Sequence, residues 1–273
     1  MSDKLPAHPH FSPRRIGALI RRHVYLLRGS WPRLFDLVYW PTVQLAMWGF
    51  LQLYLVKRSG VAAAAAGALI GGVLLWDILF RSQLGFNLAF LEELYSRNLG
   101  HLLVSPLRPL EHILAMMVIS IIRVLIGIVP VSLFAIFFFG FNVYGLGLWL
   151  VAFFLNLVLT SWAFGLFVCG LLLRYGLGAE NVAWSLIFAL MPLCCVYYPL
   201  AILPTWLQWI SLALAPTYVF EGMRAILLQG TVEASLMVKA LIINAAYLSA
   251  GALAFMFYLQ DARRRGALVG MGE

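Results

Sequence analysis

The sequence predicts an all-α integral membrane protein: six transmembrane helices, an N-terminal amphipathic interfacial helix, and a re-entrant helical segment between spans five and six. Three observations carry that prediction. Of the 273 residues 63% are hydrophobic and only 11% charged, against about a quarter charged in soluble domains. The apolar residues fall in blocks near the roughly 20 residues that a helix needs to cross a bilayer. The basic residues are distributed unevenly between the two sides that such spans define. The net charge of +8 is therefore read as topology and contact with membrane lipids, and nucleic acid is not expected as a partner.

Residues 1–36 form the predicted tail and interfacial helix. Arg14, Arg15, Arg21, Arg22, Arg28 and Arg33 are interleaved with Ile16, Leu19, Ile20, Val24 and Leu27 at helical spacing, the pattern of a basic amphipathic helix on an anionic leaflet. No uninterrupted apolar core follows the basic start, so a cleavable signal peptide is not expected. The membrane domain spans 37–259, with apolar blocks at 37–56, 61–80, 113–141, 146–173, 182–198 and 236–259. Pro41 is placed near the start of the first block, where a helix tolerates it. The second block carries Gly67, Gly71 and Gly72, a small-residue face on which a neighbouring backbone can approach closely. A tail, 260–273, follows.

Placing the N-terminus in the cytoplasm puts 14 basic residues inside and four, Lys57, Arg58, Arg224 and Lys239, outside, with Arg123 within a span. That asymmetry assigns both termini to the cytoplasm. Residues 81–112 then form the principal cytoplasmic loop, organised around the stretch 91–112. Glu92, Glu93, Arg97, Arg108 and Glu111 lie on a background of Leu91, Leu94, Leu99, Leu102 and Leu103, closed by Ser105-Pro106 and Arg108-Pro109. A short surface helix ending at those prolines is one reading; an ordinary polar loop is the other. If the stretch is helical, Glu93 and Arg97 sit together at i,i+4.

Residues 198–235 differ from every other connection. Pro199, Pro204 and Pro216 interrupt an apolar sequence that also carries Tyr198, Trp206 and Trp209. It is read as a re-entrant or interfacial pair on the outer face, with aromatic rings at headgroup depth. Glu221 and Arg224 at i,i+3 are expected to pair, as a surface salt bridge in the plainest reading.

Two ionisable residues fall within spans. Asp77 is one turn from Arg81, and local pairing accounts for it. Arg123 lies about 15 Å along its helix, so it either faces protein near mid-membrane or snorkels to the cytoplasm; the snorkelling reading is taken. There is no phosphate-binding GxxxxGK[ST] loop, HExxH or GxSxG, and no metal ligand set is expected. Cys169, Cys194 and Cys195 lack metal-ligand or disulfide spacing. All five histidines are placed outside the spans. An ion-coupled transporter would normally carry midplane ionisable groups and repeated halves, and a membrane enzyme would need converging His or carboxylates.

The ordered combination of a basic amphipathic helix, six spans, Arg97-Asn-Leu-Gly-His-Leu-Leu-Val-Ser-Pro-Leu107, Tyr198-Pro-Leu-Ala-Ile-Leu-Pro-Thr-Trp206, Ala215-Pro-Thr-Tyr218 and Glu221-Gly-Met-Arg224 resembles the ABC type-2 transporter permease family over nearly the whole chain. His101 stands where that family commonly has a threonine or similar residue. The resemblance implies a bacterial inner-membrane exporter of an amphiphilic substrate, of the drug, lipid-linked glycan or lipo-oligosaccharide class. It implies a second permease copy or a similar permease, and a separate ATPase subunit that binds the ATP, so the chain itself has no cofactor and is not an enzyme. It also implies that Glu92, Glu93, Arg97, Leu99, Leu102, Ser105 and Pro106 couple the permease to that ATPase.

Overall fold

The computed structural model describes residues 11–59, 62–98, 102 and 107–265. Among them every regular element is helical. The helices are α1 (Pro13–Arg28), α2 (Trp31–Ser59), α3 (Ala62–Tyr95), α4 (Pro109–Phe139), α5 (Leu148–Tyr175), α6 (Glu180–Leu193), α7 (Thr205–Leu212), α8 (Ala215–Arg224) and α9 (Ala234–Arg264). A π turn, Ala225–Gln229, continues α8.

α1 starts on Pro13, which suits a first-turn position because its missing N–H is unsatisfied there anyway. It buries Leu19, His23 and Leu27, one side chain per turn, and Ile20 and Val24 pack against the same core. Gly29 and Ser30 turn the chain into α2. Pro41 is not near the start of that helix as expected but in its interior. Proline gives no N–H to the carbonyl four residues back. That carbonyl, Leu37 O, instead faces Gly127 of α4, where an added Cβ would lie 2.8 Å from it.

The largest departure from expectation is α3. The second span is expected to end at residue 80, yet the helix runs 34 residues to Tyr95, about 50 Å at 1.5 Å per residue. Ser82, Gln83, Asn87 and Glu93 look like loop residues, but all are buried between helices. No proline interrupts the stretch, and Gly85 lets Arg123 of α4 pass closely. Residues 81–95 and 109–112 therefore belong to α3 and α4, which shortens the connecting loop to 96–108. Leu91 and Leu94 are not the lipid-facing side of a surface helix; they join Phe90, Ile113, Met116, Leu172 and Phe255 in the core at this end of the bundle. A second core, built on Leu74, Leu79, Leu157, Phe220 and Met223, fills the other end.

Four helical stretches among the described residues are long and apolar enough to cross a membrane: Gly67–Tyr95, Pro109–Phe139, Leu148–Val182 and Ala234–Arg264. α7 with α8 and its π turn makes a fifth only if the pair, bent by 102°, counts as one span. Six spans do not follow from length and composition, for two reasons. Gln44, Gln52 and several Trp and Tyr residues dilute the apolarity of the 29-residue α2. α6 stops after 14 residues, about 21 Å, short of the ~30 Å hydrocarbon core. The expected fifth span, 182–198, ends early because the chain turns at Cys194, and Cys195 takes φ 55.

Inside the bundle, polar side chains tie helices together where water is absent. Asn244 of α9 donates to Asn156 O at 2.9 Å, and Thr160 donates to Asn244 Oδ1 at 2.6 Å. Ser161 donates to Leu79 O at 2.9 Å. At Gly251 an added Cβ would lie 2.5 Å from Ala163 O, so α5 and α9 meet backbone to backbone. A Cβ added at Gly72 would lie 2.8 Å from Val196 O, and Gly71 packs against Met223 and Leu227.

Candidate functional site

The carboxylates around the 96–108 loop are all engaged within the chain. α3 ends in a left-handed cap: Arg97 has φ 54, its N–H donates to Leu94 O at 3.0 Å, and the Asn98 N–H donates to Glu93 O at 3.0 Å. This is the paired closure usually built on glycine. It takes Arg97 off the helix, so the expected i,i+4 pairing with Glu93 on a continuous helix does not form.

Glu93 points inward instead and is fully buried. It pairs with Arg22 of α1 and accepts from Asn98 Nδ2 at 2.8 Å, and His23 Nε2 lies 3.4 Å away. On the far side of the loop, Glu111 of α4 is equally buried. Its Oε1 accepts from Arg15 Nη2 at 2.6 Å and from the Ser12 N–H at 2.8 Å. Its Oε2 accepts from Arg15 Nε at 2.9 Å and from the Arg108 N–H at 3.0 Å, which caps the start of α4. α1 therefore lies across the base of the loop, with Arg22 on the stem that leaves α3 and Arg15 on the stem that enters α4.

A third carboxylate extends the arrangement. Glu92 accepts from Arg33 of α2 at 3.1 Å and from Arg123 of α4 at 3.0 and 3.1 Å. Arg123, with 3% of its surface exposed, is turned into the protein, so the snorkelling reading is corrected. The extension of α3 through residues 82–95 supplies a partly buried acceptor for it, Glu92. Asp77 and Arg81 pair at 2.8 Å as their spacing suggests.

His112 stands in the first turn of α4, buried 6.3 Å from the Phe90 ring centroid, and therefore lies within a spanning helix and not outside it. Leu102 lines a narrow cavity with Phe90, Leu107, His112, Leu173 and Leu259, so it faces its own bundle. Leu99, Ser105 and Pro106 lie outside the described residues, as do His101 and Leu103. The sequence reading missed the roles of Arg15, Arg22, His23, Asn98 and Glu111. Two of the six arginines of the first 35 residues meet acids 71 and 96 positions away, and no local spacing signals such pairs.

At the opposite end, the residues of the 198–235 segment converge through Glu221. Its Oε1 accepts from the Leu200 N–H at 2.7 Å and from Arg224 Nη2 at 2.8 Å. Arg224 is buried and donates to Cys195 O at 2.7 Å, so the pair is more than a surface salt bridge: it ties α8 to the turn that ends α6. Tyr198 donates to Pro192 O at 2.7 Å. Pro199 precedes a short 3-10 turn, Pro204 precedes α7, and Pro216 sits buried in the first turn of α8. Trp206 and Trp209 project outward, 67% and 72% exposed. Among the described residues no group of three or more His, Cys, Asp or Glu side chains is placed to hold a metal.

The model of one protein family, described as ABC-2 type transporter, matches residues 15–228. No curated protein matches the chain. The match runs from the α1 residue that meets Glu111, through the loop and its stems, to the π turn after Arg224. Taken with helices long and apolar enough to cross a bilayer, it establishes a membrane-embedded transport component: the chain belongs to the ABC-2 type transporter family.

Proposed function

We propose that this chain is the permease subunit of an ATP-driven exporter, and that a separate ATPase polypeptide supplies the hydrolysis and binds the ATP. The observation that carries the reading is the clasp of α1 over both stems of the 96–108 loop. A displacement of that loop is transmitted to α3 through Glu93, to α4 through Glu111, and to α2 through Glu92 and Arg33, because buried carboxylates held by guanidiniums resist separation. Such a body suits a surface on which another subunit pushes, and rigid elements relay the motion across the bundle. Glu92 and Glu93 act in this scheme as braces behind the contact; Arg97, Leu99, Ser105 and Pro106 present the contact itself.

The absence of a phosphate-binding loop in the chain agrees with a separate ATPase. A bundle of this size forms half of a two-subunit pathway, either as a homodimer or beside a similar permease. The substrate is an amphiphile of the drug, lipid-linked glycan or lipo-oligosaccharide class, moved outward across the bacterial inner membrane. Both termini lie in the cytoplasm, on the strength of the basic asymmetry, with α2 and α6 completing six spans and the α7–α8 pair re-entrant on the outer face.

The test is co-purification and reconstitution. The full chain should have no ATPase activity alone, should co-purify with an ATP-hydrolysing subunit, and should then move a fluorescent amphiphile into the lumen of inverted or reconstituted vesicles when ATP is added outside, without an ion gradient. Transport that follows an ion gradient and ignores ATP would replace the proposal with an ion-coupled transporter.

A further inference from the structure

The same α1 that clasps the loop keeps three arginines out of that task. Arg15 and Arg22 are consumed by Glu111 and Glu93. Arg14, Arg21 and Arg28 are seven residues apart, on the side of the helix opposite the buried Leu19, His23 and Leu27, and all three are exposed. Seven residues are two turns, so the guanidiniums repeat about every 10 Å along one line. Among the described residues none of the three makes an ion pair; Arg21 reaches only Gly17 O at 3.3 Å.

Beside the row lies a concavity lined by Ala18, Arg21, Arg22, Tyr25 and Leu26. Tyr25 is 69% and Leu26 41% exposed. Phe11 continues the apolar flank at one end of α1, and Trp31 follows at the other. The apolar side of α1 is committed to the protein's own core. Contact with lipid therefore cannot be insertion of that side, the usual mode of an amphipathic interfacial helix; the charged side remains.

We infer that the outer side of α1 is a binding site for anionic phospholipid, with the headgroup phosphate taken by Arg21 beside Tyr25, an acyl chain laid over Leu26 and Ala18, and Arg14 and Arg28 extending the contact to neighbouring headgroups. Three unpaired guanidiniums need anionic charge. The apolar residues next to them suit an amphiphile better than an acidic protein surface, which would leave Tyr25 and Leu26 uncovered. Arginine provides the fork that phosphate oxygens accept. The inference rests on the membrane location of the chain and not on its transport activity.

The test uses the full chain in phosphatidylcholine bilayers with trace spin-labelled phosphatidylglycerol or phosphatidylcholine, and reads the motionally restricted fraction of each label. The wild type should restrain phosphatidylglycerol in preference by about fivefold, the effect of roughly one arginine at an anionic surface, and the preference should fall at high salt. Arg14→Gln, Arg21→Gln and Arg28→Gln together should abolish it while the α1 clasp, which uses Arg15 and Arg22, keeps the thermal midpoint unchanged. An undiminished preference in the triple variant would overturn the assignment. Competition by millimolar inorganic phosphate that removes the lipid preference would also overturn it, in favour of a free-anion site. Equal restraint of both lipids in the wild type, together with loss of the co-purifying ATPase in the triple variant, would assign the row to a protein partner instead.

Discussion

The guanidinium of Arg123 meets the carboxylate of Glu92 at 3.0 Å, joining the middle of α4's length to the last turn of α3. Arg33 holds the same carboxylate at 3.1 Å from a more exposed position. The two arginines are not equivalent. Arg33 can return to water, whereas Arg123, with its side chain 4% exposed, cannot. Glu92→Ala should cost about 3 kcal/mol by stranding Arg123, and Arg33→Ala under about 1 kcal/mol. A double-mutant cycle on thermal unfolding in detergent checks the pair. A Glu92–Arg123 coupling near zero would mean that the pair does not hold the helices.

Arg97 separates a backbone role from a docking role. A non-glycine residue at positive φ costs about 1 kcal/mol or more, so Arg97→Gly should be more stable than Arg97→Ala, which lacks the same side chain, and Arg97→Val should be less stable than either. If Arg97 also touches the ATPase, Arg97→Gly and Arg97→Ala should both reduce ATPase co-purification. A glycine variant no more stable than the alanine variant would contradict the cap.

Gly127 tests the proline-freed carbonyl. In a helix interior glycine to alanine ordinarily gains about 1 kcal/mol. Here the new methyl would stand 2.8 Å from Leu37 O and 3.1 Å from Arg81 Cδ, so Gly127→Ala should be destabilising. A rise in the thermal midpoint would show that α2 and α4 are farther apart than described.

Leu99 and Leu102 should no longer behave alike. Leu102 lines a cavity with Phe90 and His112, so Leu102→Asp should destabilise the permease by burying a carboxylate without a partner. Leu99→Asp, at a residue proposed to meet the ATPase, should reduce coupled transport. Assembly and export that survive Leu99→Asp at wild-type levels would remove that residue from the contact.

Orientation is open to single-cysteine labelling in a background without Cys169, Cys194 and Cys195. Gln229→Cys should react with an impermeant reagent from outside intact cells, and Arg265→Cys only after permeabilisation. Labelling of Arg265→Cys from outside would invert the proposed topology.

The membrane class, the family resemblance and the approximate ends of most helices were legible in the sequence, because apolar blocks, prolines and basic asymmetry are local signals. Asp77 with Arg81, and Glu221 with Arg224, were legible for the same reason: both pairs lie within one turn. Where the polar residues point was set by the packing of whole helices. Asn87 and Glu93 read as part of a solvated loop, yet they are buried where other helices bring partners to them, Cys169 to Asn87 Oδ1 and Arg22 to Glu93. Arg123 read as a snorkelling side chain until α3 placed Glu92 beside it. The clasp of α1 joins residues up to 96 positions apart. A charge's partner at that distance is set by the packing of whole helices, and burial of a charge is tolerable only once that packing has supplied its counter-charge.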